Sequence, residues 1–166
     1  DPDADGDGIP NEEDPQPYFS GNLDVDFEDA ALKPTYTDYA PKEIAGRMWV
    51  LSNALVVATN DSKDNIDETR GAKLRGATGG IYLQGALTNG IGLLTFDYAR
   101  YGTSGGITIS AQYNAGAGWV TISTANTANV DALLTKSNVV NVVGPVDFRI
   151  VWTASAGGTK YANLDN

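Results

Sequence analysis

The sequence contains no cysteine and no histidine. Their absence removes disulfide staples, thiolate and imidazole metal sites, thiol nucleophiles, Ser-His triads and imidazole acid–base chemistry together. Zinc and redox roles go with them. Nor is there an uninterrupted apolar run approaching the ~18 residues of a membrane-spanning helix, so membrane insertion is not expected. Positive charge is scarce: 11 Lys and Arg stand against 21 Asp and Glu, a formal net charge of −10. Such a surface opposes phosphate backbones and anionic headgroups, which argues against nucleic acid as a partner. It suits cations, which relieve the repulsion between closely spaced carboxylates. The sequence starts at Asp1 without an initiator Met or a signal peptide, and is expected to be a processed or excised part of something larger.

What is present divides into two textures. Residues 1–20, DPDADGDGIPNEEDPQPYFS, have no periodic apolar face and several prolines, so they need a metal or a neighbour to acquire structure. From residue 21 onward, short apolar stretches alternate with Gly, Asn, Ser and Thr clusters, the pattern of strands and turns. The expected organisation is an acidic calcium-binding loop and linker at 1–20 and a β-sandwich module at 21–166, with the boundary near Gly21. At 166 residues, one hydrophobic core is the working assumption.

Strand periodicity is clearest at 107–113, where Ile107, Ile109, Ala111 and Tyr113 share one face and Thr108, Ser110 and Gln112 the other. Val146, Phe148, Ile150 and Trp152 repeat the alternation, as do Leu94, Phe96 and Tyr98, and these three segments are expected to build the core. Further strands are expected at 22–27, 48–51, 55–59, 72–75, 80–84, 119–123, 139–143 and 160–164. Only 127–134 looks helical, with at most one turn at 31–33. Without βαβ crossovers a parallel sheet is improbable, and the expected fold is all-β, an antiparallel β-sandwich of jelly-roll type. Gly-rich stretches at 76–80, 102–106 and 116–118 read as turns. They do not form a phosphate-binding loop, because the lysine, the spacing and the following helix are all missing.

The acidic N-terminus carries the most specific chemistry. Asp3, Asp5, Asp7, Asn11 and Asp14 supply side-chain oxygens at positions 1, 3, 5, 9 and 12 of an EF-hand-like loop. Ile9 supplies its carbonyl at position 7, and Gly8 allows the sharp turn at position 6. Calcium fits such an irregular set of oxygens better than magnesium, which demands a near-ideal octahedron. A register starting at Asp1 loses one side-chain oxygen. Pro10, Pro15 and Pro17 oppose a following helix, so the loop is expected to be a clamp or stiffened linker rather than a sensor that opens.

The string DADGDGIPNEEDP resembles thrombospondin type 3 repeats and related calcium repeats of bacterial surface proteins. The remainder is similar to jelly-roll modules of large secreted bacterial proteins, related to carbohydrate-binding and lectin-like sandwiches. The similarity lies in DVDFED (24–29), MWVLSNALV (48–56), GAKLRG (71–76), LLTFDYARYG (93–102), ITISAQYNAGAGWVTIS (107–123), FRIVW (148–152) and YANLDN (161–166). This resemblance implies a second, structural calcium shared by Glu28, after the first strand, and Asp165, in the last. It also implies a secreted or cell-surface location. The final strand departs from the family pattern, which usually continues with apolar residues.

Two further acidic clusters, Asp24, Asp26, Glu28 and Asp29, and Asp61, Asp64, Asp67 and Glu68, are readable as solvated surface or as sites. Abundant carboxylates supply nominal glycosidase pairs without limit, so their presence does not argue for an enzyme. Trp49, Trp119 and Tyr101 are candidates for stacking on sugar rings, set against ordinary packing. Asn60, Asp61 and Ser62 match a glycosylation acceptor, a pattern too short to be diagnostic. The expected function is a noncatalytic extracellular binding or adhesion module, directed to a glycan or cell-surface ligand, with calcium as structural cofactor. The alternative is a calcium-bridged structural subunit packing against copies of itself in a surface layer, filament or virion.

Overall fold

The computed structural model describes residues 27–58, 62–67, 69–104, 106–155 and 159–165. Asp3, Asp5, Asp7, Ile9, Asn11 and Asp14, the linker, the boundary near Gly21 and all but Phe27 of the strand expected at 22–27 lie outside the described residues. Those residues form eleven strands and no helix: β1 (Lys42–Ile44), β2 (Arg47–Ser52), β3 (Ala54–Ala58), β4 (Arg70–Arg75), β5 (Thr78–Leu83), β6 (Ile91–Arg100), β7 (Ile107–Asn114), β8 (Val120–Asn126), β9 (Leu134–Val142), β10 (Asp147–Ala154) and β11 (Tyr161–Asp165). A six-stranded sheet in the order β1-β2-β5-β10-β7-β8 faces a five-stranded sheet in the order β3-β4-β11-β6-β9. Every pairing is antiparallel. This is the β-sandwich expected from the alternation.

Period-two patterning explains the layers. Ile107, Ile109 and Ala111 of β7, Phe148, Ile150 and Trp152 of β10, and Leu94, Phe96 and Tyr98 of β6 all turn into one core between the sheets. Gly79 of β5 lies opposite Trp152 of β10, and a Cβ there would sit 2.2 Å from the indole, so glycine makes room for the largest core side chain of that strand. The β7–β8 turn depends on left-handed glycines: Gly116 and Gly118 have φ of 96° and 106°, and both donate their N–H to Asn114 Oδ1 at 2.9 Å.

One helix expectation is corrected, and one strand was not foreseen. Residues 127–134 do not form a helix; Asn126 Oδ1 caps Ala128 N, Val130 N bonds Thr127 O, and the segment turns into β9. Local side-chain capping by Asn126 competes with helix nucleation there, and Asn129 adopts a positive φ of 61°. Residues 31–33 do not form a helical turn, because Lys33 bridges to Val56 of β3. Finally, β1 was not foreseen; three residues are too short a stretch to show a period.

Lys33 is the unexpected structural residue. It is fully buried, and its ammonium donates to Thr35 O at 2.6 Å and Ala54 O at 2.7 Å, tying the 27–41 segment to β3. Burial lowers its pKa, because the charged form is the one that loses solvation.

Candidate functional site

Trp49, a stacking candidate, is instead core. It has no exposed surface, its indole N–H donates to Ile44 O at 3.1 Å, and it meets Phe148 edge-on. As a β2 residue of odd parity it must face inward with Leu51. Trp119 is 41% exposed beside β8, with the Arg149 guanidinium 3.8 Å from its ring centre. Arg149 Nε donates to Gln112 Oε1, and Gln112 Nε2 donates to Thr121 Oγ1. Tyr82, Arg149, Gln112 and Thr121 are successive cross-strand neighbours on the outer face of the six-stranded sheet, so that face carries a polar and aromatic row.

Tyr101 stands at an open cleft. β6 ends at Arg100 and delivers Tyr101 to the end of the sandwich, while β11 starts there with Tyr161. The two rings lie 5.7 Å apart, inclined at 57°. With Lys63, Gly102, Thr103, Ser104 and Thr159 they line an open cleft of about 350 Å³. That volume lies at the lower end of the ~300–1,000 Å³ typical of small-ligand sites. Its walls are braced by hydrogen bonds from Gly102 N to Lys63 O, from Ser104 N to Tyr101 O and from Tyr161 N to Ser104 Oγ.

Cations stiffen the aromatic wall from behind. Lys73 Nζ sits 3.4 Å from the centre of the Tyr101 ring and Arg75 sits 3.9 Å from that of Tyr36. Burial, followed by the neighbouring Tyr161 hydroxyl, pushes the Tyr36 phenol well above its ordinary value, so Tyr36 stays a neutral hydrogen-bonding group. Asp64 holds the lysine, at 3.9 Å, and accepts from Asn163 Nδ2 at 2.9 Å. Tyr36, Tyr161, Lys73 and Arg75 were missed in the sequence, since each is an ordinary strand or loop residue until β11 inserts between β4 and β6. The cleft combines apolar ring surfaces with hydroxyl and ammonium donors, the chemistry that recognises a polyhydroxylated ring. Among the described residues that line it there is no opposed pair of carboxylates.

The structure places Glu28 and Asp165 on the same loop but on different backbone groups. Glu28 accepts hydrogen bonds from Thr69 N at 2.9 Å, from Arg70 N at 2.5 Å and from the Thr69 hydroxyl. The Thr69 hydroxyl, followed by those main-chain donors, holds its carboxyl below the usual range. Asp165 is buried and accepts from Asp67 N at 2.7 Å. Among the described residues, no three acidic side chains converge as a metal cluster.

No protein-family model matches the chain, and no curated protein matches it. Solved structures do. The carbohydrate-binding module TmCBM61, in complex with β-1,4-galactotriose, superposes with a TM-score of 0.51 over 70% of this chain and 83% of that one, at 16% identity. The structural neighbours are β-sandwich carbohydrate-binding modules. Another is described as a carbohydrate-binding module of the β-sandwich superfamily with promiscuous specificity, at 15% identity, TM-score 0.46, and 87% and 60% coverage. A glycoside hydrolase family 43 arabinoxylan arabinofuranohydrolase from Bacillus subtilis, in complex with cellotetraose, matches at 14% identity with a TM-score of 0.46. The match covers 87% of this chain but 28% of that enzyme. At such identities the likeness establishes the sandwich fold. Among the described residues, no helix is long and apolar enough to cross a membrane.

Proposed function

We propose that this chain is a noncatalytic, carbohydrate-directed binding module of an extracellular protein. The observation that carries the reading is the Tyr101–Tyr161 cleft, an open aromatic-walled site on a fold whose neighbours include a module solved with a bound galactotriose. A sugar ring presents an apolar C–H face and a polar rim. The tyrosine rings complement the first, and Lys63, Thr103, Ser104 and Thr159 complement the second. Calcium serves as structural cofactor, in the Asp3 to Asp14 loop and in the sandwich beside Asp165, where the family resemblance pairs that residue with Glu28.

Glycan-array binding followed by titration calorimetry tests the reading. Tyr101→Ala and Tyr161→Ala are each expected to weaken binding by roughly tenfold or more, the loss of about 1.4 kcal/mol or more for an aromatic anchor at the centre of a site. Trp119→Ala distinguishes the outer sheet face, and loss there alone moves the site to that surface. A folded chain that binds no glycan refutes the proposal.

Self-association is a second reading, favoured by β9. This edge strand of the five-stranded sheet exposes Leu134 and Val139, and Val143 follows it, at 47%, 61% and 60% exposure. Sedimentation with and without a chelator separates the two readings, since a binding module stays monomeric in both.

A further inference from the structure

Ser104 is bonded to the main chains of both cleft tyrosines. Its N–H donates to Tyr101 O at 2.9 Å, closing the tight turn at 101–104, and its Oγ accepts from Tyr161 N at 3.0 Å. The turn has little freedom. Tyr101 and Ser104 face each other as a bridge pair. Gly102 takes a left-handed φ of 53°, and the Lys63 stem crosses it, so that a Cβ there would lie 3.3 Å from Lys63 Cβ and Cγ. Gly102 N is also tied to Lys63 O at 2.8 Å. One serine therefore links the end of β6 to the start of β11, the two places from which the rings project 5.7 Å apart.

A hydroxyl has one proton to give and two lone pairs with which to receive. The Tyr161 N–H occupies one lone pair of Ser104 Oγ, and its positive hydrogen turns the Ser104 O–H away from β11. Among the described residues, no acceptor takes that proton. Ser104 is half-buried and lines the cleft, so the proton is offered to whatever occupies it. Accepting the N–H also polarises the hydroxyl and makes it a stronger donor. Thr103 and Thr159 line the cleft too, but they are exposed, and water competes for their hydroxyls. We propose that Ser104 is a specificity-determining residue of the cleft, its hydroxyl donating to a hydroxyl oxygen of the sugar stacked on Tyr101 and Tyr161; this rests on the reading of the cleft as a sugar site. The same side chain holds the two rings at the spacing that the sugar meets. A ligand without an oxygen at that position loses the bond and leaves a partly buried donor unpaired.

β-1,4-Linked gluco-, galacto-, manno- and xylotriose are titrated into the full chain by calorimetry. The tightest of the four is then compared with its monodeoxy analogues in the parent, Ser104→Ala and Ser104→Thr. Ser104→Ala is expected to weaken the unmodified sugar by about three- to tenfold, the range of one hydrogen bond between neutral groups. One monodeoxy analogue should bind the parent more weakly by a similar factor and show no further loss in Ser104→Ala, while the other analogues lose affinity in that variant as the unmodified sugar does. Such non-additivity separates a direct bond from a loosened wall, which weakens every analogue by one common factor. Ser104→Thr, which retains the hydroxyl, should keep the discrimination and hold affinity within about twofold. Ser104→Cys, similar in shape and a weak donor, takes the place of Ser104→Ala should alanine prevent folding, and is expected to show the same pattern. A common factor for every analogue, or parent-like affinity in Ser104→Ala, overturns the inference and leaves the sugar reading standing. Binding of none of the four trisaccharides by the folded chain also overturns it, and the glycan array then decides whether the sugar reading falls as well.

Discussion

Replacing Gly79 with alanine probes the packing between the two sheets directly. A Cβ at this position would lie 2.2 Å and 2.5 Å from two carbons of the Trp152 indole and 2.6 Å from Ser52 O. The carbonyl belongs to β2 and is fixed by the sheet, and the indole is fully packed, so neither neighbour yields without moving a strand. Overpacking of this kind costs about 1–3 kcal/mol. Displacing the indole also threatens its 3.3 Å hydrogen bond to Arg75 O, worth about 1 kcal/mol. Reduced entropy of the unfolded chain returns roughly 0.4–1 kcal/mol. The net expectation is a loss of about 1–4 kcal/mol, or a fall in Tm of about 2–14 °C for a domain near this size. Gly80→Ala is the control. Its Cβ would meet the Tyr82 ring at 2.3 Å on the outer face, and that half-buried side chain has room to swing away, so the loss should stay within about 1 kcal/mol. Urea unfolding followed by tryptophan fluorescence measures both variants. A Gly79→Ala protein as stable as the parent, or one less damaged than Gly80→Ala, would refute this account of the core.

Other outcomes follow from the same contacts. Trp49→Ala should destabilise the domain by about 3–5 kcal/mol, as expected for an emptied aromatic site, while Trp119→Ala should change stability by less than about 1 kcal/mol; chemical denaturation distinguishes them. The Tyr36 phenol is raised above its ordinary value of 10.0, so the folded state keeps a proton that the unfolded chain has already lost. Its stabilisation is complete below pH 10 and declines as pH rises through and beyond that value; Tyr36→Phe should flatten this alkaline limb in pH-dependent melting curves. Chelation should expose residues 1–20 to proteolysis in the parent. Asp5→Asn with Asp7→Asn should give the same cleavage without a chelator, and unchanged digestion patterns would remove calcium from the loop.

The missing strand and the helix that did not form show where sequence reasoning stops. The alternation at 107–113 and 146–152 located β7 and β10 because a half-buried strand must repeat every two residues. Lys42 to Ile44 is too short to show that repeat, and its pairing with β2 depends on the turn at Ala45 and Gly46, both at positive φ. The 127–134 stretch has helix-compatible composition, yet Thr127 is buried and its hydroxyl accepts from Ile107 N, an interaction with a distant strand. Trp49 and Trp119 have the same chemistry in the sequence; sheet parity buried the first, and the position ahead of β8 left the second exposed.

The sequence by itself determined the class of the fold, an antiparallel β-sandwich, because alternation and glycine-rich turns are local properties of the chain. It also carries the spacing from which a calcium loop is expected at Asp3, Asp5, Asp7, Ile9, Asn11 and Asp14, since that pattern lies within one short segment. Only the tertiary structure decided that Tyr101 and Tyr161 form a cleft and that Asp97 faces Asp165. Both arrangements arise because the last strand enters the sheet between β4 and β6, which are distant from it in the chain. Strand alternation fixes which face a side chain occupies, whereas strand order and register fix what it meets there.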